Sequence, residues 1–178
     1  MTPIALGPQS DGSYLTESVD GQLPWTAGGQ PVTLAWSHFP GNPSQPGDLV
    51  TLSTPAYVAL VEGSAFDAIL STLSRADDLN LAWTSDTAPA VSDEVVFSVS
   101  AVSTQVYCTF GAATGAGVVP AAALGQLETG EASYNVHSKQ FARESLTAAN
   151  GAPWTLSFNI DATARTSYGL ANGYVTLQ

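Results

Sequence analysis

The glycines at 111, 115 and 117 have a spacing that could cradle a phosphate group or form a simple turn. A P-loop requires a lysine directly after its last glycine, but Gly117 is followed by Val118 and Val119. A dinucleotide-binding fingerprint requires G-x-G-x-x-G at the start of a helix in a parallel β-α-β unit, and the spacing here differs. We therefore predict a turn between a strand, QVYCTF, and a short helical segment.

Histidine, serine and cysteine chemistry has few candidates in this chain. His38 and His137 are far apart in the sequence, and the chain has no G-x-S-x-G motif that could expose a serine nucleophile on a tight turn. Neither H-x-x-x-H nor H-E-x-x-H occurs, and zinc needs three protein ligands within reach. The single Cys108 excludes an internal disulfide, and we expect it to be buried and unreactive in its alternating strand. The residues favour a protein that is not an enzyme.

Paired carboxylates could serve glycoside hydrolysis or calcium binding. The pairs Asp77-Asp78 and Asp93-Glu94 are adjacent, and neighbours in an extended chain point to opposite faces, which is not the opposed geometry that hydrolysis needs. Loop carboxylates do suit calcium. The candidate ligands for calcium are Asp86, Asp93 and Glu94, and the alternative is that these are solvated loop acids. We expect no other cofactor.

Aromatic side chains are the remaining resource for binding, because sugar-binding surfaces use exposed aromatic faces. Trp36, Trp83 and Trp154 alternate with apolar neighbours and are expected in the core. The freer aromatic residues are Trp25, Tyr14, Tyr57, Tyr168 and Tyr174. The predicted ligand-binding residues are Trp25, Phe39, Tyr57 and Tyr168; the alternative is that these rings pack loops over the ends of the fold.

The elements that must position these residues are short strands. Apolar and polar residues alternate with period two in eight segments, each bounded by Gly, Pro, Asn or Asp: PVTLAW, DLVTLST, LNLAW, EVVFSVSAV, TQVYCTF, ASYNVH, WTLSFNI and GYVTL. This pattern predicts an all-β, antiparallel β-sandwich of immunoglobulin-like or jelly-roll-like type. Helical spacing predicts one short helix near 64–75 and a helical turn near 120–127. We expect a single domain over 1–178, with an irregular segment at 1–30 left open.

Composition limits the partners. Of the 178 residues, 44% are hydrophobic and only 11% are charged, so the surface must be polar through hydroxyl and amide groups. The net charge of −11 and the four Lys and Arg residues disfavour nucleic acid and anionic membranes as partners. The apolar runs are also far shorter than the roughly 20 residues that a membrane span needs.

The order of the segments DLNLAWT, EVVFSVSAV, QVYCTFG, GAGVVPAAALGQL and ASYNVHS, over residues 78–138, resembles a module of uncharacterised secreted proteins and lipoproteins of bacteria. The resemblance implies an immunoglobulin-like or related β-sandwich outside the cell or on its surface. It implies no catalytic or binding residues.

These observations lead to a functional expectation. We expect a non-catalytic, secreted or cell-surface module that binds a protein partner, a glycan or copies of itself through loops at one end, assuming that an export signal has been removed ahead of Met1. Two alternatives stay open: a subunit of an ordered extracellular or viral-type assembly, and a small-ligand or hydrolase domain with a non-obvious site.

Overall fold

A computed structural model of the chain describes residues 7–8, 14–15, 27–35, 49–61, 71–147, 151, 153–166 and 169–178. These residues are mostly in strands, and the fold is all-β and sandwich-like, as the alternating pattern predicts. The strands are β1 Gly7–Pro8, β2 Tyr14–Leu15, β3 Pro31–Ala35, β4 Leu49–Ser53, β5 Val58–Leu60, β6 Thr72–Leu73, β7 Leu79–Ser85, β8 Asp93–Ser100, β9 Gln105–Gly111, β10 Ala116–Val119, β11 Gly130–Thr147, β12 Pro153–Thr163, β13 Arg165–Thr166, β14 Gly169–Leu170 and β15 Asn172–Leu177.

The larger sheet of the described residues has six strands and is centred on β11. Its order is β6-β15-β11-β8-β9, and β12 also pairs with β11. Strand β8 lies along one edge of β11, whereas the other edge is shared by β15, at 130–135, and β12, at 137–147. Four strands therefore lie side by side over the first half of β11, in the order β9, β8, β11 and β15.

A second sheet, of five strands within the described part of the chain, has the order β10-β7-β5-β13-β14. The chain passes from β12 in the first sheet to β13 in the second at Ala164, which is fully buried. Three backbone hydrogen bonds of 2.8 Å fix this crossing: Ala164 to Val136, Val136 to Ala171, and Ala171 to Ala164. The two sheets thus share one continuous segment. Two further hairpins, β1-β2 and β3-β4, complete the described strands.

The core lies between the two larger sheets. Strand β8 contributes Val95, Phe97 and Val99, all with 0% exposure, and β7 contributes Leu81 and Trp83. Burying side chains of this size stabilises the folded state by about 1.5–3 kcal/mol each. Because strand side chains alternate between faces, the β8 residues between Val95, Phe97 and Val99 lie on the outer face of the six-stranded sheet.

The strand predictions are confirmed for all eight alternating segments, each of which contains or overlaps a strand. The helical turn predicted near 120–127 is also confirmed, as helix α1, Ala121–Leu124. Pro120 precedes it in an extended conformation, and the Asp78 carboxylate accepts a hydrogen bond of 2.7 Å from the Ala121 N–H. Leu124 and Leu127 are buried, which anchors the turn to the core.

The helix predicted near 64–75 has a different outcome. Residues 62–70 lie outside the described residues, and the described end of the segment is not helical. Thr72–Leu73 instead forms β6, which pairs in parallel with β15 at Thr176 and Leu177. The backbone of β15 offers hydrogen-bond partners there, and Leu73 is buried against the core, so tertiary contacts override the local helical spacing.

The sequence leaves open whether the segment 1–30 is irregular. Its described parts are β1 and β2, which pair with each other, and a turn at 27–30 that bonds to Thr54 through the Gly29 N–H. The rest of this segment lies outside the described residues.

Candidate functional site

Within the glycine-rich segment at 111–117, residues 112–115 form a turn as predicted, but Gly111 ends β9 and Gly117 lies in β10, a strand that the sequence pattern did not predict before the helical segment. Residues Ala112–Thr114 form one 3₁₀ turn, and Gly115 follows with φ of 69°, a conformation that glycine adopts without strain. Strand β10 then pairs antiparallel with β7. A Cβ atom on Gly117 would lie 2.6 Å from the Phe110 ring, so this glycine is needed for close packing of an aromatic side chain.

The expected calcium ligands do not come together. Asp93 is 4% exposed and its Oδ2 accepts hydrogen bonds from the Ala56 and Ala90 N–H groups, at 3.3 and 3.0 Å. Its Oδ1 accepts a third from the side-chain amide of Gln140, at 3.3 Å. Asp93 is therefore a buried structural acceptor that links β8 to the segment before β5, and it is not the solvated acid of the alternative prediction.

Asp86 has a similar structural role at the protein surface. Its Oδ2 accepts from the Gly28 N–H at 2.9 Å, and its Oδ1 accepts from the Tyr57 N–H at 2.7 Å. Glu94 follows Asp93 in β8 and lies on the opposite face of the sheet. Within the described part of the chain, no group of three or more His, Cys, Asp or Glu side chains could hold a metal ion, and the calcium expectation for Asp86, Asp93 and Glu94 is corrected accordingly.

Among the predicted ligand-binding aromatic residues, Trp25, Phe39 and Tyr168 lie outside the described residues. Tyr57 is half-buried, and the Arg165 guanidinium lies 5.4 Å from the centre of its ring. A cation over the ring face occupies the surface that a sugar would use. The expectation that Trp83 is a core residue is confirmed, and its Nε1 donates a hydrogen bond of 2.8 Å to the Ala112 carbonyl. Trp36 and the Trp154 side chain lie outside the described part.

The structure describes two further side chains that could react, Cys108 and His137. Cys108 is half-buried beside the core, rather than fully buried as expected, and burial raises the pKa of its thiol, which disfavours the reactive thiolate. His137 is also half-buried, and desolvation lowers its pKa, with Asp161 acting to raise it and Lys139 to lower it. His38 lies outside the described residues.

The outer face of the six-stranded sheet carries two rows of polar residues that the strand register aligns. Side chains in register on adjacent strands are near neighbours on one face. The first row runs from β9 to β15 through Gln105, Ser100, Ser133 and Tyr174. The second runs in the same direction through Tyr107, Ser98, Asn135 and Asn172.

An open groove of about 440 Å³ lies over these rows. Its lining consists of hydroxyl, amide and phenol side chains with one glycine: Ser98, Ser100, Ser133, Tyr134, Asn135, Asn172, Gly173 and Tyr174. None of these eight residues carries a charge at neutral pH. Tyr174 is 71% exposed and stands at the β15 end of the groove.

Asn135 is central to the groove, between Ser98 on β8 and Asn172 on β15. Its Oδ1 atom is buried with no hydrogen-bond partner. An unmet buried acceptor costs about 1–3 kcal/mol, and the χ2 torsion of asparagine is soft, so a small rotation can turn this amide toward the groove. The groove therefore contains a polar group whose hydrogen-bonding capacity the folded chain leaves unused.

Sequence reasoning identified Tyr174 as a freer tyrosine but missed the rest of the groove. The serines and asparagines alternate with core residues in FSVS, ASYNV and NGYV. From the sequence alone, this alternation indicates only a strand face in contact with water. Nothing local shows that residues 98, 135 and 172 lie side by side, because their alignment depends on pairing between distant strands.

No helix in the described part of the chain is long and apolar enough to span a membrane. Comparison of the chain with protein-family models, with curated proteins and with solved structures finds no match.

Proposed function

We propose that this protein is a non-catalytic recognition module, secreted or displayed on a cell surface, that binds an uncharged glycan on the outer face of its six-stranded sheet. The observation that carries the proposal is the groove itself. It has an uncharged floor of hydroxyl and amide groups beside an exposed aromatic ring, Tyr174.

The chemistry of the groove suits a sugar better than other small ligands. Serine hydroxyls and asparagine amides can both donate and accept hydrogen bonds, as sugar hydroxyls do. An exposed tyrosine ring offers an apolar face on which the C–H face of a sugar packs. An apolar ligand would instead cover these polar groups without satisfying them, at a cost in free energy.

Charge also favours a neutral ligand. The chain has a net charge of −11, which disfavours the binding of anions, and the lining of the groove contains no Lys or Arg to attract them. A cationic ligand would find no carboxylate among the lining residues. The low content of charged residues, 11%, supports the extracellular setting.

A glycan array tests the proposal with the full chain, a Tyr174→Thr variant and a control. Threonine removes the ring but keeps a strong strand former at an exposed position. Phe141→Thr is the matched control, because Phe141 is an exposed aromatic residue on the same face of β11, about 20 Å along the strand from Asn135. We expect capture of neutral glycans in preference to sialylated or sulfated ones, on the order of tenfold weaker binding for Tyr174→Thr, and no change for Phe141→Thr.

Two results would overturn the proposal: no neutral glycan is captured, or capture is insensitive to Tyr174→Thr. Chromatography of each bound glycan after prolonged incubation tests the non-catalytic part. Intact glycan is expected, and cleavage products would favour the hydrolase alternative.

A second function, self-assembly, is favoured by the edge strand β9. This strand lies at the end of the six-stranded sheet, and no described residue pairs with its outer edge. Its sequence, QVYCTFG, has neither a charge nor a proline, the features that usually protect an edge from pairing with another chain. Sedimentation velocity tests this function: a concentration-dependent oligomer that Thr109→Lys disperses supports it, and a monomer at all concentrations rejects it.

A further inference from the structure

We infer that the ligand is an oligosaccharide that lies across four strands, from Tyr174 on β15 to Tyr107 on β9, and not a single sugar. The inference rests on the proposed function and specifies the length and path of the ligand.

The register places a second exposed ring at the far end of the polar rows. Tyr107 is 53% exposed, and it pairs in register with Ser98, a residue that lines the groove. Neighbouring strands are about 4.8 Å apart, so the three steps from β9 to β15 span about 14 Å. Tyr107 and Tyr174 lie in different rows, two residues or about 7 Å apart along the strands, so their backbone positions are about 16 Å apart. That distance is longer than one sugar ring, and both tyrosines can contact the same ligand only if several sugars are linked.

The surface between the two rings is continuous in chemistry. Ser98 and Asn135 lie between Tyr107 and the β15 end of the second row, and Ser100 and Ser133 fill the first row. All four can exchange hydrogen bonds with sugar hydroxyls. A linked chain thus meets suitable partners at each strand that it crosses.

The neighbouring rows limit the path of the ligand. On one side, Val96 is fully buried beside His137, and the following row contains Glu94, Lys139 and Asp161 in register. On the other side, Glu131 is paired with Thr176. Charged groups therefore lie on both sides of the two polar rows. A ligand that stays on uncharged surface must run across the strands, along these rows.

The twist of the sheet indicates what kind of chain fits. Adjacent strands rotate by roughly 20°, so the rings of Tyr107 and Tyr174 stand on strands that differ in direction by about 60°. A ligand with rotatable linkages between rigid rings can follow such a surface, whereas a rigid planar molecule cannot contact both ends.

Titration calorimetry with a length ladder tests the inference. The probes are the neutral homo-oligosaccharides of glucose, mannose, galactose, xylose and N-acetylglucosamine, each from monosaccharide to hexasaccharide. We expect affinity to rise on the order of tenfold once the chain is long enough to reach both rings. Tyr107→Thr should remove this gain while leaving the affinity for the shortest binding sugar unchanged.

The variants separate the two levels of the proposal. Tyr174→Thr should weaken all lengths, and Phe141→Thr should weaken none. If sugars bind but affinity does not depend on length or on Tyr107, the four-strand path is wrong while the proposed function stands. If no member of the ladder and no neutral glycan on the array binds, the proposed function itself fails. Unchanged melting temperatures of the three variants would show that each is folded.

Discussion

The carboxylate of Asp86 accepts a hydrogen bond of 2.7 Å from the backbone N–H of Tyr57. The bond joins a candidate calcium ligand, Asp86, to a candidate ligand-binding aromatic residue, Tyr57. The other oxygen of Asp86 accepts from the Gly28 N–H, at 2.9 Å. Gly28 packs so closely that a Cβ atom there would lie 2.5 Å from the Ala56 Cα. Asp86 thus connects the turn at 27–30 to the segment that precedes β5.

Asp86→Ala should therefore lower the free energy of unfolding by about 1–3 kcal/mol, because two backbone donors lose a charged acceptor. Thermal unfolding of the variant measures this loss. Asp77→Ala is the control, since Asp77 is exposed and its described contact is a local hydrogen bond from Ser74. Equal melting temperatures for Asp86→Ala and the unmodified protein would contradict the structural role of Asp86.

Replacement of Asp93 should destabilise the protein more strongly. Asp93→Ala leaves the Ala56 and Ala90 N–H groups and the Gln140 amide without their acceptor in a buried place, at about 1–3 kcal/mol for each unmet group. Glu94→Ala, one residue further along β8, should have a much smaller effect. Denaturant unfolding with and without added calcium measures both, and stabilisation by calcium that Asp93→Ala abolishes would revive the metal-site hypothesis.

Gly117→Ala should destabilise the fold, whereas Gly111→Ala should be nearly neutral. A Cβ at 117 would overlap the Phe110 ring at 2.6 Å, but a Cβ at 111 would meet only the Thr114 methyl group, at 3.8 Å. Overpacking of this kind typically costs about 1–3 kcal/mol. Phe110→Leu should restore part of the stability lost in Gly117→Ala. If both alanine variants melt at the same temperature, the close-packing role of Gly117 is wrong.

His137 should make stability depend on pH. Burial lowers its pKa in the folded state below the ordinary value of 6.5. Between 6.5 and the lowered pKa the unfolded chain binds more protons, so stability falls as pH falls through this window. Melting temperatures measured from about pH 8 to about pH 5 should show a shallower decline for His137→Gln. A decline of the same slope in both proteins would show that His137 titrates alike when folded and unfolded.

The sequence predicted the elements of this fold better than the relations between them. Alternation identifies β8 and β15 because each buries one face, and Pro120 and Gly125 mark the ends of α1 because proline is favoured at helix starts and glycine at helix ends. The segment at 71–75 was mispredicted because a partner strand about a hundred residues away determines its conformation. The alignment of Ser98, Asn135 and Asn172 has the same origin, since long-range pairing has no local signature.

The roles of the acids were hidden for a related reason. An aspartate in a loop looks the same in sequence whether it binds a metal, faces water or accepts hydrogen bonds from distant backbone groups. Asp78 accepts from Ala121, 43 residues away, and Asp93 accepts from Ala56, 37 residues away. Only the three-dimensional structure shows which backbone donors lie near each carboxylate.

Backbone amide chemical shifts measured during titration with the tightest-binding neutral oligosaccharide test whether glycans bind on the outer face of the six-stranded sheet, because they locate the ligand without any substitution. We expect the shifts to concentrate on the outer-face rows, at Ser98, Ser133, Asn135 and Tyr174, and to extend to Tyr107 with longer ligands. Shifts centred on residues 54–57 and 86–91, at the loops that Asp86 and Asp93 hold, would contradict binding on this face.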